Sequence, residues 1–170
     1  MKHPLETNRL YIRPITTKDA AFVLELMNSP KWIRFIGDRN VKTVEDAKAY
    51  IKEKAIPQFK THGYGNNVII RKSDNKKLGT CGVYHREGKD QPDIGFAFLP
   101  SYEGLGYAYE ATSKLIEMMK GTYSLNELSA YTLEENASSR KLLERLNFEL
   151  KGTGILPTTN EELLHYHRKL

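Results

Sequence analysis

The stretch Asp93–Ala111 reads DIGFAFLPSYEGLGYAYEA. In its first half Ile94, Phe96 and Phe98 alternate with small residues, which predicts a strand over Ile94–Leu99, closed by Pro100. From Gly106 the pattern turns helical and predicts a helix to about Lys120. Between them lies Gly104-Leu105-Gly106, two glycines at the mouth of a helix. They serve a tight turn, or they open the first amides of the helix to an anion. The helix dipole favours an anion there by roughly 0.3–1 kcal/mol. A Walker-type loop is excluded, because no Gly-Lys-Ser/Thr follows. The dinucleotide fingerprint fails as well, since its third glycine falls on Tyr109 and the segment follows a three-stranded meander. A glycine-assisted turn and a main-chain seat for a diphosphate both stand at this point.

The elements around this stretch complete an α+β order. Leu10, Ile12 and Ile15 alternate as a first strand, closed by Pro14 and a polar segment. Thr17 with Ala20–Met27 reads as a capped helix whose apolar face is Phe22, Val23, Leu26 and Met27. A short helical turn is read at Trp32–Phe35. Thr43 caps a longer helix over Glu45–Phe59, with Ala47, Tyr50, Ile51 and Ile56 inward. Strands are read at Asn67–Arg71 and Leu78–His85, before the quoted one, and at Glu127–Thr132, after it. Asn136–Leu146 reads as a helix with Leu142, Leu143 and Leu146 inward. Phe148–Gly152 and Leu163–Arg168 read as two more strands around a loop.

At 170 residues, 39% hydrophobic and 28% charged, the chain suits one soluble domain over residues 1–170. Cys81 is the single cysteine, so an internal disulfide is excluded, and TCGVY places it as a small core residue in a strand. No apolar run approaches membrane-spanning length and the first residues lack a signal-peptide core, so a cytoplasmic location without membrane association is expected. The net charge of +5 suits a polyanionic ligand. Its tightest cluster, Arg71, Lys72, Lys76 and Lys77, reads as a solvated hairpin tip, and no nucleic-acid partner is expected. His62, His85, His165 and His167 lack metal-ligand spacing with acidic or cysteine partners, so no metal is expected. His165 and His167 fall on one face of the last strand.

SYEGLGYAYEA resembles the cofactor segment of the GNAT superfamily of N-acetyltransferases, whose Gln/Arg-x-x-Gly-x-Gly/Ala signature falls on Glu103, Gly106 and Ala108. LETNRLYIRPITTKDAAFVLELMNSP is similar to the first strand and helix of the ribosomal-protein (Rim-type) branch. DIGFAFLPSYEGLGYAYEA resembles that branch's fourth strand and following helix. ENASSRKLLERLNFELKG resembles its second cofactor segment. The resemblance implies a central mixed, mostly antiparallel twisted sheet of about seven strands flanked by about four helices. It departs at three places. Glu103 stands where Gln or Arg is common and is expected to turn outward. Asn147 replaces a glycine and is expected to take a left-handed backbone. Leu143 replaces a tyrosine that serves many relatives as general acid.

The resemblance implies transfer of an acetyl group from acetyl-CoA to a primary amine, on a protein N-terminus or a small molecule, by direct attack on the thioester. The alternative is a non-catalytic acyl-CoA-binding module. The amides of Gly104, Leu105, Gly106, Tyr107, Ala108 and Tyr109 would hold the diphosphate. Main-chain groups of Phe96, Ala97 and Phe98 would line the pantetheine arm, and Asn136 would bond to it. Ser139 would meet the departing thiolate. Asp93 is a candidate base or relay, and Tyr131 a candidate lining of the acceptor site. Substrate choice is expected from residues 28–60 and the loop Ile155–Glu162, and a homodimer is left open.

Overall fold

The computed structural model describes residues 4–156 and 161–170. It contains an eight-stranded sheet in the order β1-β2-β3-β4-β5-β6-β8-β7. The strands are β1 (Leu5–Glu6), β2 (Leu10–Pro14), β3 (Asn66–Arg71), β4 (Lys77–Tyr84), β5 (Asp93–Phe98), β6 (Glu127–Thr132), β7 (Glu149–Ile155) and β8 (Glu162–Lys169). All neighbours are antiparallel except β5 and β6. The helices are α1 (Ala20–Met27), α2 (Pro30–Phe35), α3 (Val44–Tyr50), α4 (Ile56–His62), α5 (Tyr107–Tyr123) and α6 (Ala137–Arg145). The expected α+β sheet is present, with eight strands for about seven; of the six helices, α2 is the turn read at Trp32–Phe35, and α3 and α4 together cover the helix read at Glu45–Phe59.

Strand alternation sorts the core into two layers. Leu10, Ile12, Ile69, Ile94 and Leu128 share one cluster with Leu115 and Met119 of α5 and Leu143 of α6. Val68 points the other way, into a cluster with Leu26 of α1, Ala47 of α3 and Ile51. Leu115 and Met119 lie four residues apart, on one stripe of α5, and are almost wholly buried. Each such side chain contributes roughly 1.5–3 kcal/mol on burial. Cys81 is buried on the α5 side, and burial pushes its thiol up to about 12, against a bond with Thr112.

Differences from the sequence reading have local causes. β1 spans two residues, too short for periodicity to register. The first capping box belongs to Thr16 and Asp19, around a 3-10 turn, and not to Thr17. α3 continues through one π-helical turn, Ile51–Ala55, into α4, which Gly63 ends at φ 76°. α5 runs three residues past Lys120, stopping where Ser124 turns left-handed at φ 54°. Ile155 and Glu162 of the expected loop lie in β7 and β8, and residues 157–160 fall outside the described residues. Asn147 adopts φ 60° as expected. In the β3–β4 hairpin Arg71 and Lys76 pair with Asp74, Lys72 with Glu6, and Lys77 with the buried Asp19; Lys76 alone of the four is exposed, so the cluster is an ion-paired hairpin more than a solvated tip.

Candidate active site

β5 and β6 are paired at one position, Asp93 opposite Ser129, where Ser129 N donates to Pro92 O at 3.0 Å. Beyond it the strands separate toward Phe98 and Thr132. β5 stays paired with β4 along its whole length, and Leu99 N donates to Leu78 O at 2.9 Å. Antiparallel ladders alternate, so Ala97 spends its main-chain groups on β4, whereas those of Phe96 and Phe98 face the gap. Two of the three expected residues therefore aim main-chain polar groups into the slot, and Ala97 does not. Its side chain packs among the α1–α4 cluster.

Both strands feed helices whose N-termini stand at the open end. After β5, a 3-10 turn at Pro100–Tyr102 leads to Gly104 (φ 72°) and Gly106 (φ 80°), and Gly106 is the N-cap of α5. Left-handed backbone at both positions explains the two glycines. A Cβ on Gly104 would meet no heavy atom within 4 Å, so its approach is open, while one on Gly106 would lie 3.3 Å from Arg9 Nη2. Leu105 and Tyr109 are exposed and Tyr107 is buried.

Sequence reading missed Arg9. It donates from Nη1 to Leu105 O at 3.1 Å and from Nε to Glu110 Oε2 at 2.6 Å, and stacks on Tyr107, 4.4 Å from the ring centre. Burial alone would raise the Glu110 carboxyl. Bonds from Thr7 and from the main chain and guanidinium of Arg9 outweigh it and hold it below its usual value. A cation is thus fixed beside the glycine turn. Glu103 is ion-paired with Lys31 of α2, so its charge is met by a side chain.

At α6, Asn136 is the N-cap: its Oδ1 accepts from Ser139 N at 3.2 Å and from Ser138 Oγ at 3.1 Å. Capping consumes the carbonyl, so the amide NH2 is the half available to a ligand. Ser139 is half-buried on the first turn. Leu143 is buried in the core, so no proton donor stands at its position.

Asp93, Ala97, Ser129 and Tyr131 share the face opposite α5 and α6, by the same alternation that buries Ile94 and Leu128. Asp93 does not stand free as the candidate base requires, nor does it lie in a solvated turn. It is 3% exposed, and Arg86 grips both its oxygens, Nε to Oδ2 at 2.5 Å and Nη2 to Oδ1 at 3.0 Å. Burial pushes its carboxyl up against the opposing pull of Arg86. Tyr131 is half-buried and lies flat on His165, with ring centres 4.9 Å apart at 12°. Burial and then the charge of Asp93 raise its hydroxyl pKa, against the opposing charge of Arg86. His165 Nε2 lies 2.9 Å from Ser129 Oγ. Arg86 and His165 were not read as site residues. The pairing of His165 and His167 on one face was the available signal, but their partners come from distant strands.

Residues 9–149 match the family model described as an acetyltransferase (GNAT) domain. The chain belongs to the GNAT family and is an acetyltransferase. It is 28% identical over 150 residues to the uncharacterized N-acetyltransferase YoaA of Bacillus subtilis, covering 87% of this chain and 84% of that protein. The crystal structure of an acetyltransferase from Agrobacterium tumefaciens has the same fold, with TM-score 0.82 and 23% identity over 97% of this chain and 93% of the other. So does RimL, a ribosomal α-N-protein acetyltransferase in complex with coenzyme A, with TM-score 0.81 and 17% identity over 96% of each chain. Among the described residues no helix is long and apolar enough to cross a membrane.

Proposed function

We propose that this acetyltransferase uses acetyl-CoA to acetylate a primary amine, either the α-amino group of a protein N-terminus, as in the Rim-type branch, or a small amine. The observation that carries the reading is the gap between β5 and β6, with a helix N-terminus at each side of its open end. The residues present fit the donor: a glycine turn with φ 72° and 80°, a fixed arginine beside it, and main-chain groups of Phe96 and Phe98 along the slot.

Bound acetyl-CoA supplies the acetyl group as a thioester. The amides from Gly104 to Tyr109 hold the diphosphate, and Gly104 leaves the approach open. Phe96 and Phe98 align the pantetheine arm, and fixed main-chain dipoles in this strand gap polarise the thioester carbonyl. Asn136 offers its NH2 to the arm. Ser139 donates a hydrogen bond to the departing sulfur, taking the place that Leu143 cannot fill. Tyr131 lines the acceptor side. An α-amino group, with pKa roughly 7.7–8.0 against about 10.4 for lysine, needs modest help to reach its reactive free form.

The test is release of CoA from acetyl-CoA against peptides with free N-termini, polyamines and aminoglycosides. Turnover with at least one of these amines is expected. Absence of any acyl-CoA binding at roughly millimolar concentration, a free energy of only about −4.1 kcal/mol, contradicts the reading.

A further inference from the structure

We propose that His165 is the proton acceptor for the attacking amine, set in that role by a hydrogen-bond chain through Ser129, Gln91 and Glu127. The inference rests on the acetyl-transfer reading above. Its starting point is the place of Ser129: the β6 residue at which the β5–β6 gap closes. His165 lies opposite Tyr131 on β8, with Nε2 2.9 Å from Ser129 Oγ.

The chain fixes which ring nitrogen carries the proton. Gln91 Nε2 donates to Glu127 Oε1 at 2.6 Å, since the reversed amide would set a carbonyl against a carboxylate. Gln91 Oε1 therefore faces Ser129, 3.2 Å from its hydroxyl oxygen. An amide oxygen accepts only, so Ser129 donates its hydrogen to Gln91, and its own oxygen accepts from His165 Nε2–H. In the neutral ring this leaves Nδ1 with a lone pair. The flat stack on Tyr131 holds the ring plane.

The charged and titratable groups around the ring favour the neutral form. His167 lies on β8 and Lys89 on the β4–β5 loop, 5.5 Å from the Tyr131 ring centre. Glu127 of β6 also pairs with His167, at 2.9 Å. The Arg86–Asp93 pair stands behind Tyr131 on the β5 side. On facing β7, Gly152 lies opposite His165 and carries no charge, while Glu149 lies opposite His167 and pairs with Lys151 at 2.6 Å. Burial first, then His167 and Lys89, keep the imidazole pKa below its ordinary value. His165 is thus neutral at neutral pH, while Asp93 is gripped by Arg86 and Tyr131 keeps its proton.

The step balances simply. The ammonium gives one proton to Nδ1, which passes it to solvent. The amine nitrogen bonds to the acetyl carbon as the carbon–sulfur bond breaks, its electron pair going to sulfur. The second proton leaves nitrogen for that thiolate, giving amide and CoA thiol.

Two measurements test this. Long-range 1H–15N correlation spectra of the labelled wild-type protein across pH should show His165 protonated on Nε2 alone, with a pKa below about 6.5. An Nδ1–H tautomer, or a pKa at or above that value, overturns the proposal and needs no acceptor. In kinetics with acetyl-CoA and a peptide bearing a free N-terminus, His165→Gln should cut kcat/KM at neutral pH by roughly 100-fold. Its rising pH limb should move to the amine's own pKa, about 7.7–8.0, while acetyl-CoA affinity stays unchanged. An unmoved limb overturns the proposal while leaving acetyl transfer intact. Loss of acetyl-CoA binding in the wild type would instead overturn the functional reading. Gln91→Leu, which leaves the ring in place, should shift the limb in the same direction if His165→Gln fails to fold.

Discussion

Asp93 of β5 lies opposite Ser129 of β6, and that parallel pair marks where the two strands part. One junction therefore closes the slot and organises the face beyond it. Asp93 anchors Arg86 there, and Ser129 anchors His165.

The Asp93–Arg86 pair should behave as a structural contact. Removing one partner of a buried pair leaves the other uncompensated, so Asp93→Asn should cost about 3 kcal/mol in urea denaturation. Replacing both residues by apolar ones of similar volume should recover part of that loss. Unchanged stability with lost turnover would instead return Asp93 to the role of base.

Asn136 has two separable duties. Asn136→Ala removes the cap and should cost about 1 kcal/mol of stability while weakening acetyl-CoA binding. Asn136→Asp keeps a capping oxygen but loses the NH2 donor, so it should retain stability and still bind acetyl-CoA less well. Calorimetric titration beside thermal melting separates the two, and unchanged affinity in the aspartate variant would confine Asn136 to capping.

Asp19 should dominate the acid limb of stability. It is fully buried and accepts from Arg13 Nη1 and Nη2 at 2.8 Å each, with Lys77 at 2.7 Å. Burial would raise its carboxyl, but the bonds from Arg13, Lys77 and Thr16 outweigh it and hold it well below the carboxylate range. Its folded pKa is depressed, so its stabilisation is present above the unfolded value of about 3.9 and lost as pH falls below it. Asp19→Asn should cost about 3 kcal/mol at neutral pH and flatten the decline below about pH 4. Parallel acid limbs in denaturation of the two proteins would contradict this.

The sequence made the fold legible wherever local chemistry decides it. Glu127–Thr132 is a strand to the residue, because alternation there is bounded by turn residues. Asn147 shows its left-handed backbone because few other side chains tolerate it. The left-handed turn at Gly104–Gly106 was legible for the same reason. What was hidden depends on partners far along the chain. Arg9 and Glu110 are 101 residues apart, and Ser129 and His165 are 36 apart on strands that adjoin only in the folded sheet. That Phe96 and Phe98, and not Ala97, face the gap follows from the ladder with β4, which a strand's own sequence does not carry.

On the proposed function, main-chain groups at the mouth of α5 hold the CoA diphosphate. Calorimetric titration of acetyl-CoA into wild type, Gly106→Val and Glu103→Gln tests it most directly, with thermal melting as the control for folding. Valine at φ 80° is strained and its Cβ would lie 3.3 Å from Arg9, so Gly106→Val should bind at least about tenfold more weakly, a loss of about 1.4 kcal/mol. Glu103→Gln, whose side chain turns to Lys31, should bind as wild type does. Equal effects of the two substitutions would contradict the claim and leave Gly104-Leu105-Gly106 a turn.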